Sequence, residues 1–333
     1  MVEVIFMADG LNLHIFSEST SFSLLEDTDC RIDSCLAALL GISRSSVQKC
    51  IRNENLMIDG KIITKASFNR LKKGSTIELE LEPDEELSAE PQDIPLEILF
   101  ENSDFLIVNK PAGMLVHPGA GHPSSTLLNG IVFHLASLSD GSEAAKQPRA
   151  GLVHRIDKDT SGILVVAKNE KTMEALSEKF SRHDIRREYT CFVWGRMKEE
   201  RDTIETLHGR DPKNRLKFSP NVENGRRAVT HYEVMNEFPS VSELKITLET
   251  GRTHQIRMHM SALGHPIVND ELYGGLRKAV DPKLNKLLTD SGRQLLHAGL
   301  LGFTLSGRDY AFSSPLPGDM QAIKDYLTTI TGD

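Results

Sequence analysis

The sequence predicts an α+β protein whose main domain is built on a mixed, largely antiparallel sheet. Short apolar and β-branched runs, each bounded by polar or turn-forming residues, outnumber the stretches with helical spacing. The predicted strands and helices do not alternate regularly, as they would in a doubly wound parallel sheet. An acidic, proline-containing segment near residue 85 separates this main domain from a smaller α/β domain that precedes it.

The domain boundaries follow from that acidic segment. Residues 82–93 combine prolines with many acidic side chains, so the run extends by self-repulsion and cannot build a core. We therefore predict a linker at 82–93, an N-terminal extension at 1–17, a small domain at 18–81 and the main domain at 94–333. The extension matches no pattern that suggests a role.

In the small domain, apolar residues recur at helical spacing over 31–41 and predict a first helix. A second helix is predicted at 47–51, behind serines that can cap its N-terminus. The run 56–64 places the dipeptide Asp59-Gly60 between two apolar stretches, which predicts a β-hairpin.

The main domain alternates apolar runs with polar loops, and its elements are predicted from period-two and helical spacing. The predicted strands lie at 105–108, 163–167, 189–194, 228–235, 244–249 and 300–305. The predicted helices lie at 127–135, 171–180, 254–263 and 320–330.

Composition indicates a soluble globular protein, with 39% hydrophobic and 26% charged residues. No apolar run approaches the ~20 residues that span a bilayer, and the N-terminus has no basic leader. We therefore expect a cytoplasmic protein that does not interact with membranes. The cysteines form neither a CxxC pair nor a disulfide-like framework, so we expect reduced thiols at Cys30, Cys35, Cys50 and Cys191.

The net charge of −8 does not exclude a nucleic-acid partner, because the charge is unevenly distributed. Residues 31–77 carry nine basic and three acidic side chains, whereas residues 78–104 carry eleven acidic and no basic ones. A phosphate backbone responds to the local potential of a patch and not to the total charge of the chain.

The most informative segment for function is 154–162, His-Arg-Ile-Asp-Lys-Asp-Thr-Ser-Gly, which runs directly into an apolar strand. A polar loop at the start of a buried strand is a common place for fixed chemistry. Two other segments concentrate functional side chains: Arg-Arg-Glu-Tyr-Thr at 186–190 and Thr-Gly-Arg-Thr-His-Gln-Ile-Arg-Met-His at 250–259. In the latter, His254 and Arg257 are three residues apart and share a face of the predicted helix.

Several other kinds of site have no support in the sequence. GxxxxGK[ST], GxGxxG and GxSxG motifs do not occur, so we expect no ATP, dinucleotide or serine nucleophile, and no cofactor. The spacing of the nearby histidines does not repeat a helical face and no fourth ligand completes a set. We therefore expect no metal at His154, His254, His259 and His265.

These three segments resemble the signatures of the RluA-type pseudouridine synthases, and the chain is most similar to the RluD-like members. The similarity runs from about residue 30 to the end and includes 109–113, 116–121 and 208–215. Ile156 replaces the usual Leu of the HRLD motif, which preserves volume. The resemblance implies a pseudouridine synthase fold with Asp157 as catalytic residue, Tyr189 as active-site tyrosine and Arg257 as basic partner of the carboxylate.

The implied reaction breaks the N–C1′ glycosidic bond of uridine, rotates the uracil and rejoins it through C5, without redox change or energy input. The carboxylate of Asp157 could act as nucleophile at the ribose, as base at C2′ or as stabiliser of positive charge, and the sequence leaves these open. Arg155 is suited to fill the space left by a flipped nucleotide. The residues of the main domain predicted to contact RNA are Lys110, His154, Arg155, Arg187 and His254.

The small domain resembles the S4 RNA-binding domain, whose pattern R-L-D-x-x-L-A, S-R-S-x-x-Q and V-x-V-N-G-K is matched from residue 31 to residue 61. We expect Arg31, Arg44 and Lys49 to contact phosphates. The resemblance also implies a substrate in large-subunit (23S) ribosomal RNA, with tRNA as the other possibility, and we expect a monomer. Two alternatives stay open: a glycosylase in which water captures C1′, and a non-catalytic RNA chaperone.

Overall fold

The structure is a computed structural model that describes residues 19–24, 27–28, 30–42, 44–65, 71–80, 89–119, 122–138 and 151–331. The chain divides into two compact units, Met1–Leu87 and Ser88–Asp333. The predicted extension at 1–17 and residues 82–88 of the predicted linker lie outside the described residues. Within the described ranges, no helix is long and apolar enough to cross a membrane.

The first unit packs two helices on a small antiparallel sheet with strand order β1-β4-β2-β3. The predicted helices and hairpin are confirmed, although the second helix begins three residues before its predicted start. Asp59 and Gly60 both have positive φ, as a two-residue hairpin turn requires. The elements are β1 (Ser19–Ser23), α1 (Ile32–Leu40), α2 (Arg44–Arg52), β2 (Leu56–Ile58), β3 (Lys61–Ile62) and β4 (Thr76–Glu80).

The expectation of reduced thiols is wrong for Cys30 and Cys35, which form a disulfide with Cα atoms 5.9 Å apart. Cys30 precedes α1 and Cys35 lies in its first turns, so the helix brings together two cysteines that the sequence spacing did not single out. The other two cysteines, Cys50 and Cys191, are buried, and burial raises the pKa of the Cys191 thiol.

The second unit contains a ten-stranded sheet with the order β10-β9-β11-β12-β8-β13-β7-β6-β5, and β14 pairs with β13. Among the described strands, β13 and β7 pair in parallel and the others pair antiparallel, which confirms the predicted mixed, largely antiparallel sheet. The strands are β5 (Glu97–Glu101), β6 (Phe105–Lys110), β7 (Ser161–Ala167), β8 (Arg186–Trp194), β9 (Arg201–Arg210), β10 (Phe218–Ser219), β11 (Arg226–Glu237), β12 (Val241–Leu248), β13 (Leu296–Leu305) and β14 (Arg308–Ser313). The helices are α3 (Leu127–Ser137), α4 (Glu170–Ser181), α5 (Gln255–Ala262), α6 (Pro282–Ser291) and α7 (Gly318–Thr331).

The second unit starts earlier than the predicted residue 94. Ala89 is 5% exposed and belongs to the main hydrophobic core. The carbonyl oxygen of Glu90 accepts a hydrogen bond from Asn129 Nδ2, and Gln92 N–H donates to the carbonyl oxygen of Asn129. The later residues of the predicted linker are therefore part of the second unit, because their backbone is bonded to α3.

The strand β7 supplies a rigid base for the segment that contains Asp157. Every residue of β7 is buried. Leu164 and Val166 face one core cluster together with α3, whereas Ile163 and Val165 face a second cluster with α4. Because β7 is covered on both faces, its sequence is a continuous apolar run. This run predicts the strand from the sequence alone.

Candidate active site

The residues that follow Asp157 are fixed to the segment before and at the start of β13. Gln294 Nε2 donates a hydrogen bond of 2.8 Å to Thr160 Oγ1, and Ser161 Oγ lies 2.9 Å from His297 Nδ1. All four side chains are buried. The threonine and serine of the motif therefore anchor the loop that presents Asp157.

Gly162, the last residue of the motif, allows β7 to approach β13 closely. Its φ is +125°, and an added Cβ would collide with the carbonyl oxygen of Ala298. The two residues are partners in the parallel pair. The motif requires glycine here for both conformation and space.

Lys110 is buried beneath the same loop and does not face the solvent. Its Nζ donates to the carbonyl oxygens of Pro111, Met114 and Lys158 at 2.7–2.9 Å. Burial lowers the pKa of Lys110 to about 7, against the opposing charge of Asp159. The predicted RNA contact is not supported by this geometry, because backbone carbonyls use all three ammonium protons. Lys110 instead ties the turn after β6 to the Asp157 loop.

Arg257, on α5, is shared between two carboxylates. Its Nη1 donates to Asp157 Oδ2 at 3.0 Å, while Nε and Nη2 donate to Asp270 Oδ2 and Oδ1 at 2.6 and 3.0 Å. Burial lowers the pKa of Arg257, but the hydrogen bonds and charges of Asp270 and Asp157 outweigh this effect and leave it above its ordinary value. The guanidinium therefore stays charged and holds a positive charge against Asp157.

His254 lies next to this pair, at the N-cap of α5, with a left-handed backbone (φ 57°). Its Nε2 is 4.0 Å from Asp157 Oδ1, and its Nδ1 is 3.2 Å from the hydroxyl of Tyr273. That hydroxyl also accepts the Phe218 N–H at 2.9 Å. Burial lowers the pKa of His254 against the charge of Asp157. The lowered pKa favours the neutral ring next to Asp157.

The segment around α5 is docked by polar side chains of its own motif. Gln255 donates to the carbonyl oxygen of Val229 and to Thr230 Oγ1, at 2.9 and 3.0 Å. His259 bridges Thr230 Oγ1 and Thr206 Oγ1 at 2.8 and 2.9 Å. These contacts attach α5 to β11 and β9 and so fix the position of Arg257.

Tyr189 is the fourth residue of β8, which begins at Arg186 and not at Tyr189 as predicted. The strand lies between β12 and β13, and Tyr189 is 9% exposed. Burial raises the pKa of Tyr189, against the lowering effect of Arg187. The phenol is therefore neutral near pH 7.

His154 is oriented by the main sheet. Its Nε2 accepts the Val165 N–H at 3.0 Å, and its ring stacks on Phe180 at 4.4 Å. Burial and the charge of Arg187 lower the pKa of His154 to about 3. Because the ring accepts a backbone proton, it is neutral and cannot hold a phosphate by charge.

Asp157, Tyr189 and Arg257 line one cavity of about 470 Å³. With the exception of Lys110, the predicted RNA-contacting residues of the main domain line it too. Five further residues of the site are not predicted from the sequence. Phe180, His183 and Arg252 line the cavity. Tyr273 and Asp270 contact His254 and Arg257, respectively. Arg252 lies within a recognised motif, whereas Asp270 and Tyr273 lie outside every motif.

The histidines that raised the question of a metal site each bond to protein groups. His254 contacts Tyr273, His259 contacts two threonines, and His265 Nδ1 lies 2.9 Å from the carbonyl oxygen of Trp194. Within the described ranges, no group of three or more His, Cys, Asp or Glu side chains could hold a metal ion.

In the first unit, the residues of the S4-like pattern converge on Asp33. Arg31 Nε, Arg44 Nε and Gln48 Nε2 donate to its carboxylate at 3.0, 2.7 and 2.7 Å. Burial raises the pKa of Asp33, but these hydrogen bonds outweigh it and hold the pKa well below its usual range. Arg31 and Arg44 remain 46% and 51% exposed, and Lys49 is partly exposed on α2. The two arginines are thus fixed in place and still reach solvent.

The chain is similar to known enzymes along most of its length. Residues 104–262 match the family described as RNA pseudouridylate synthase. The ribosomal large subunit pseudouridine synthase D of Xanthomonas campestris pv. campestris is 40% identical over 303 residues, which cover 89% of this chain and 88% of that protein. The protein of the same name from Escherichia coli is 38% identical over 296 residues, covering 87% and 88%.

Two solved structures share the fold of most of the chain at low sequence identity. Human RNA pseudouridylate synthase domain containing 1 superposes with a TM-score of 0.55 at 23% identity, over 73% of this chain and 97% of that one. Human RNA pseudouridylate synthase domain containing 4 gives a TM-score of 0.56 at 21% identity, over 70% and 93%. The bacterial enzymes are more similar in sequence and match a larger share of the chain, which confirms the resemblance to the RluD-like members. The chain belongs to the RNA pseudouridylate synthase family.

Proposed function

We propose that this isomerase converts uridine to pseudouridine in large-subunit ribosomal RNA and that Asp157 performs the central step without a cofactor. The observation that carries the proposal is the contact of 3.0 Å between Asp157 and Arg257 at the wall of a cavity that also presents Tyr189. A carboxylate, a fixed counter-charge and an aromatic face are the groups that this reaction needs.

Asp157 is the one carboxylate among the described residues that line the cavity. Each of its three possible roles (nucleophile at C1′, base at C2′ or stabiliser of positive charge) requires the ionised form. The guanidinium of Arg257 stabilises that negative charge. When the C5–C1′ bond has formed, C5 must lose its proton, and the Asp157 carboxylate is the anionic acceptor available in the cavity.

Tyr189 supports the reaction in a different way. Because burial raises its pKa, the phenolate is scarce near pH 7, and a neutral phenol is a poor base. We propose that its ring stacks on the freed uracil while its hydroxyl donates a hydrogen bond to the base. Arg155 is exposed at the same cavity and is proposed to occupy the space vacated by the flipped nucleotide.

The substrate rests on the names of the bacterial relatives, which refer to the ribosomal large subunit. Phosphate contacts by Arg31, Arg44 and Lys49 of the first unit would add affinity that is independent of sequence. We also propose that the protein acts in the cytoplasm, where ribosomal RNA is found, and that it acts as a monomer.

The test measures tritium released to water from C5-tritiated large-subunit rRNA. We expect release by the wild type and a loss of at least about 1,000-fold for Asp157→Asn, because the amide cannot carry the charge. Asp159→Asn is the matched control, since this carboxylate is two residues away in the same loop and lines a different cavity. It should retain most of the activity.

Other outcomes separate the alternatives. Free uracil among the products would indicate a glycosylase. Release from tRNA but not from rRNA would replace the substrate and keep the reaction. Absence of release from either RNA, with binding intact, would indicate a protein that only binds RNA.

A further inference from the structure

Arg187 is a buried cation without a carboxylate partner among the residues that the structure describes. It is 7% exposed, and its Nη2 donates to the carbonyl oxygen of Glu249 at 3.0 Å. Its Nε has no hydrogen-bond partner within the described ranges. No acidic side chain of the described chain forms an ion pair with it. The equally buried Arg257 and Arg293 differ, because Arg257 binds two carboxylates and Arg293 binds Asp319 through two nitrogens.

The fold accommodates this guanidinium, although burying a charge that no carboxylate of the described residues pairs with costs desolvation free energy. Burial lowers the pKa of Arg187, which reflects the cost of its charge. The guanidinium carbon lies 5.7 Å from the centre of the Phe180 ring. A Cβ at position 251 would collide with Arg187 Nη1, so Gly251 leaves the space that the guanidinium occupies.

The wall of the cavity around Arg187 is positive. Arg155 and Arg252 line the same cavity, and neither forms an ion pair with a described carboxylate. The pKa of both His154 and His183 is lowered by burial and by the charge of Arg187, so these rings stay neutral and add no charge. The Asp157 carboxylate is already bound by Arg257. No described carboxylate neutralises the positive charge of Arg155, Arg187 and Arg252 on this wall, so the wall favours the binding of an anion.

We propose that Arg187, assisted by Arg252, binds a phosphodiester next to the reacting uridine. The inference rests on the proposed function, because the anion must arrive with the substrate. Uracil and ribose carry no charge, so in RNA the phosphodiester is the group that can neutralise a guanidinium, and arginine binds it through two nitrogens. The site would thus select a uridine within a polynucleotide over the free nucleoside.

The first test compares the stability of two full-length variants without RNA. Arg187→Met removes an unpaired buried charge, and we expect its Tm to equal or exceed that of the wild type. Arg293→Met is the matched control: it removes an equally buried arginine but leaves Asp319 without its cationic partner, so its Tm should fall. A Tm of Arg187→Met that falls as far as that of Arg293→Met would overturn the proposal, because it would identify a structural arginine.

The second test uses inorganic phosphate as the anion. At constant ionic strength, replacing chloride by phosphate should raise the Tm of the wild type and raise it less for Arg187→Met. Arg187→Lys should show an intermediate response, because it keeps the charge but not the fork of donors. An equal rise in wild type and Arg187→Met, or no rise in the wild type, would overturn the proposal.

The third test separates this site from the proposed function. With Asp157→Asn as the background, Arg187→Met should reduce the slope of log K for RNA against log salt by about one. If the wild type releases no tritium while Arg187→Met still abolishes the phosphate response, the proposed function fails and the anion site stands. If release is normal and the salt slope and phosphate response are unchanged by Arg187→Met, the anion site fails and the function stands.

Discussion

At the scale of single residues, the division of Arg257 between two acids decides what Asp157 receives. Asp270 is fully buried and takes the two-nitrogen fork, which leaves Nη1 for Asp157. Tyr273 adds to the orientation, since its ring centre lies 5.2 Å from the guanidinium carbon. Asp157 thus contacts a cation that Asp270 and Tyr273 hold in place, and Asp157 also lines the cavity.

His259 offers a test of pH dependence at the same scale. Burial lowers its pKa from 6.5 to about 4, so between these values the unfolded chain binds a proton that the folded chain does not. Stability is therefore complete above pH 6.5 and falls as the pH drops toward 4, by at most about 3 kcal/mol. His259→Gln should flatten this part of the curve of urea midpoint against pH. Identical curves for both proteins would contradict the assignment of a neutral buried ring.

Residue roles could be predicted from the sequence only where a motif marks them. Asp157, Tyr189 and Arg257 lie in such motifs, and the structure brings them to one cavity. Asp270 could not be predicted, because its partner is 13 residues away and nothing in the sequence shows that it is buried. The predicted RNA contact of Lys110 fails for the same reason: in the sequence, a lysine whose ammonium is bonded to carbonyl oxygens cannot be distinguished from one that faces solvent.

At the scale of elements, a strand can be predicted from the sequence where its residues form an apolar run. The strands β6 and β7 are continuous apolar runs and were predicted within a few residues. The strands β9 and β14 expose most of their side chains, so their sequences lack the continuous apolar run that marks β6 and β7. β9 pairs with β11 and β14 pairs with β13, and no local pattern reveals this pairing. Tyr310 and Phe312 of β14 also pack against the cluster around Phe105.

Gly162 is the test at this scale, because it determines how closely β7 and β13 approach. Gly162→Ala should lower the Tm and reduce tritium release, since the added methyl group would collide with Ala298 and displace the Asp157 loop. Gly318→Ala is the control, because a Cβ there meets no other atom within 4 Å and φ is not positive. Equal Tm values for Gly162→Ala and Gly318→Ala would show that β7 and β13 can move apart without loss of stability.

At the scale of the whole molecule, the segregation of charge gives an acidic protein two cationic regions. In the first unit, residues 31–77 carry an excess of basic side chains, and in the second unit unpaired arginines line the cavity. The two regions differ in kind. Arg31 and Arg44 of the first region are exposed and suited to bind phosphates of any sequence, whereas the arginines of the second region line the cavity that contains Asp157.

The contribution of the first unit can be measured by reversing charges that have no structural task. Arg31 and Arg44 are unsuitable, because both hold the buried Asp33 and their loss would destabilise the unit. Arg52 and Lys61 are exposed and form no ion pair with a described carboxylate. Changing both to Glu should make the fall of log K for RNA with log salt less steep, by about two in the slope. Tritium release at saturating RNA should stay unchanged, because Asp157 and its partners all belong to the second unit.

The matched control reverses Lys171 and Lys286, two exposed lysines on helices of the second unit. The control removes the same charge from the whole molecule, so it separates an effect of net charge from an effect of position. If both pairs lower the slope equally, RNA responds to the total charge and the first unit has no special role. If only the pair in the first unit does so, that unit contacts the phosphates directly, and the acidic total of −8 is no obstacle to binding RNA.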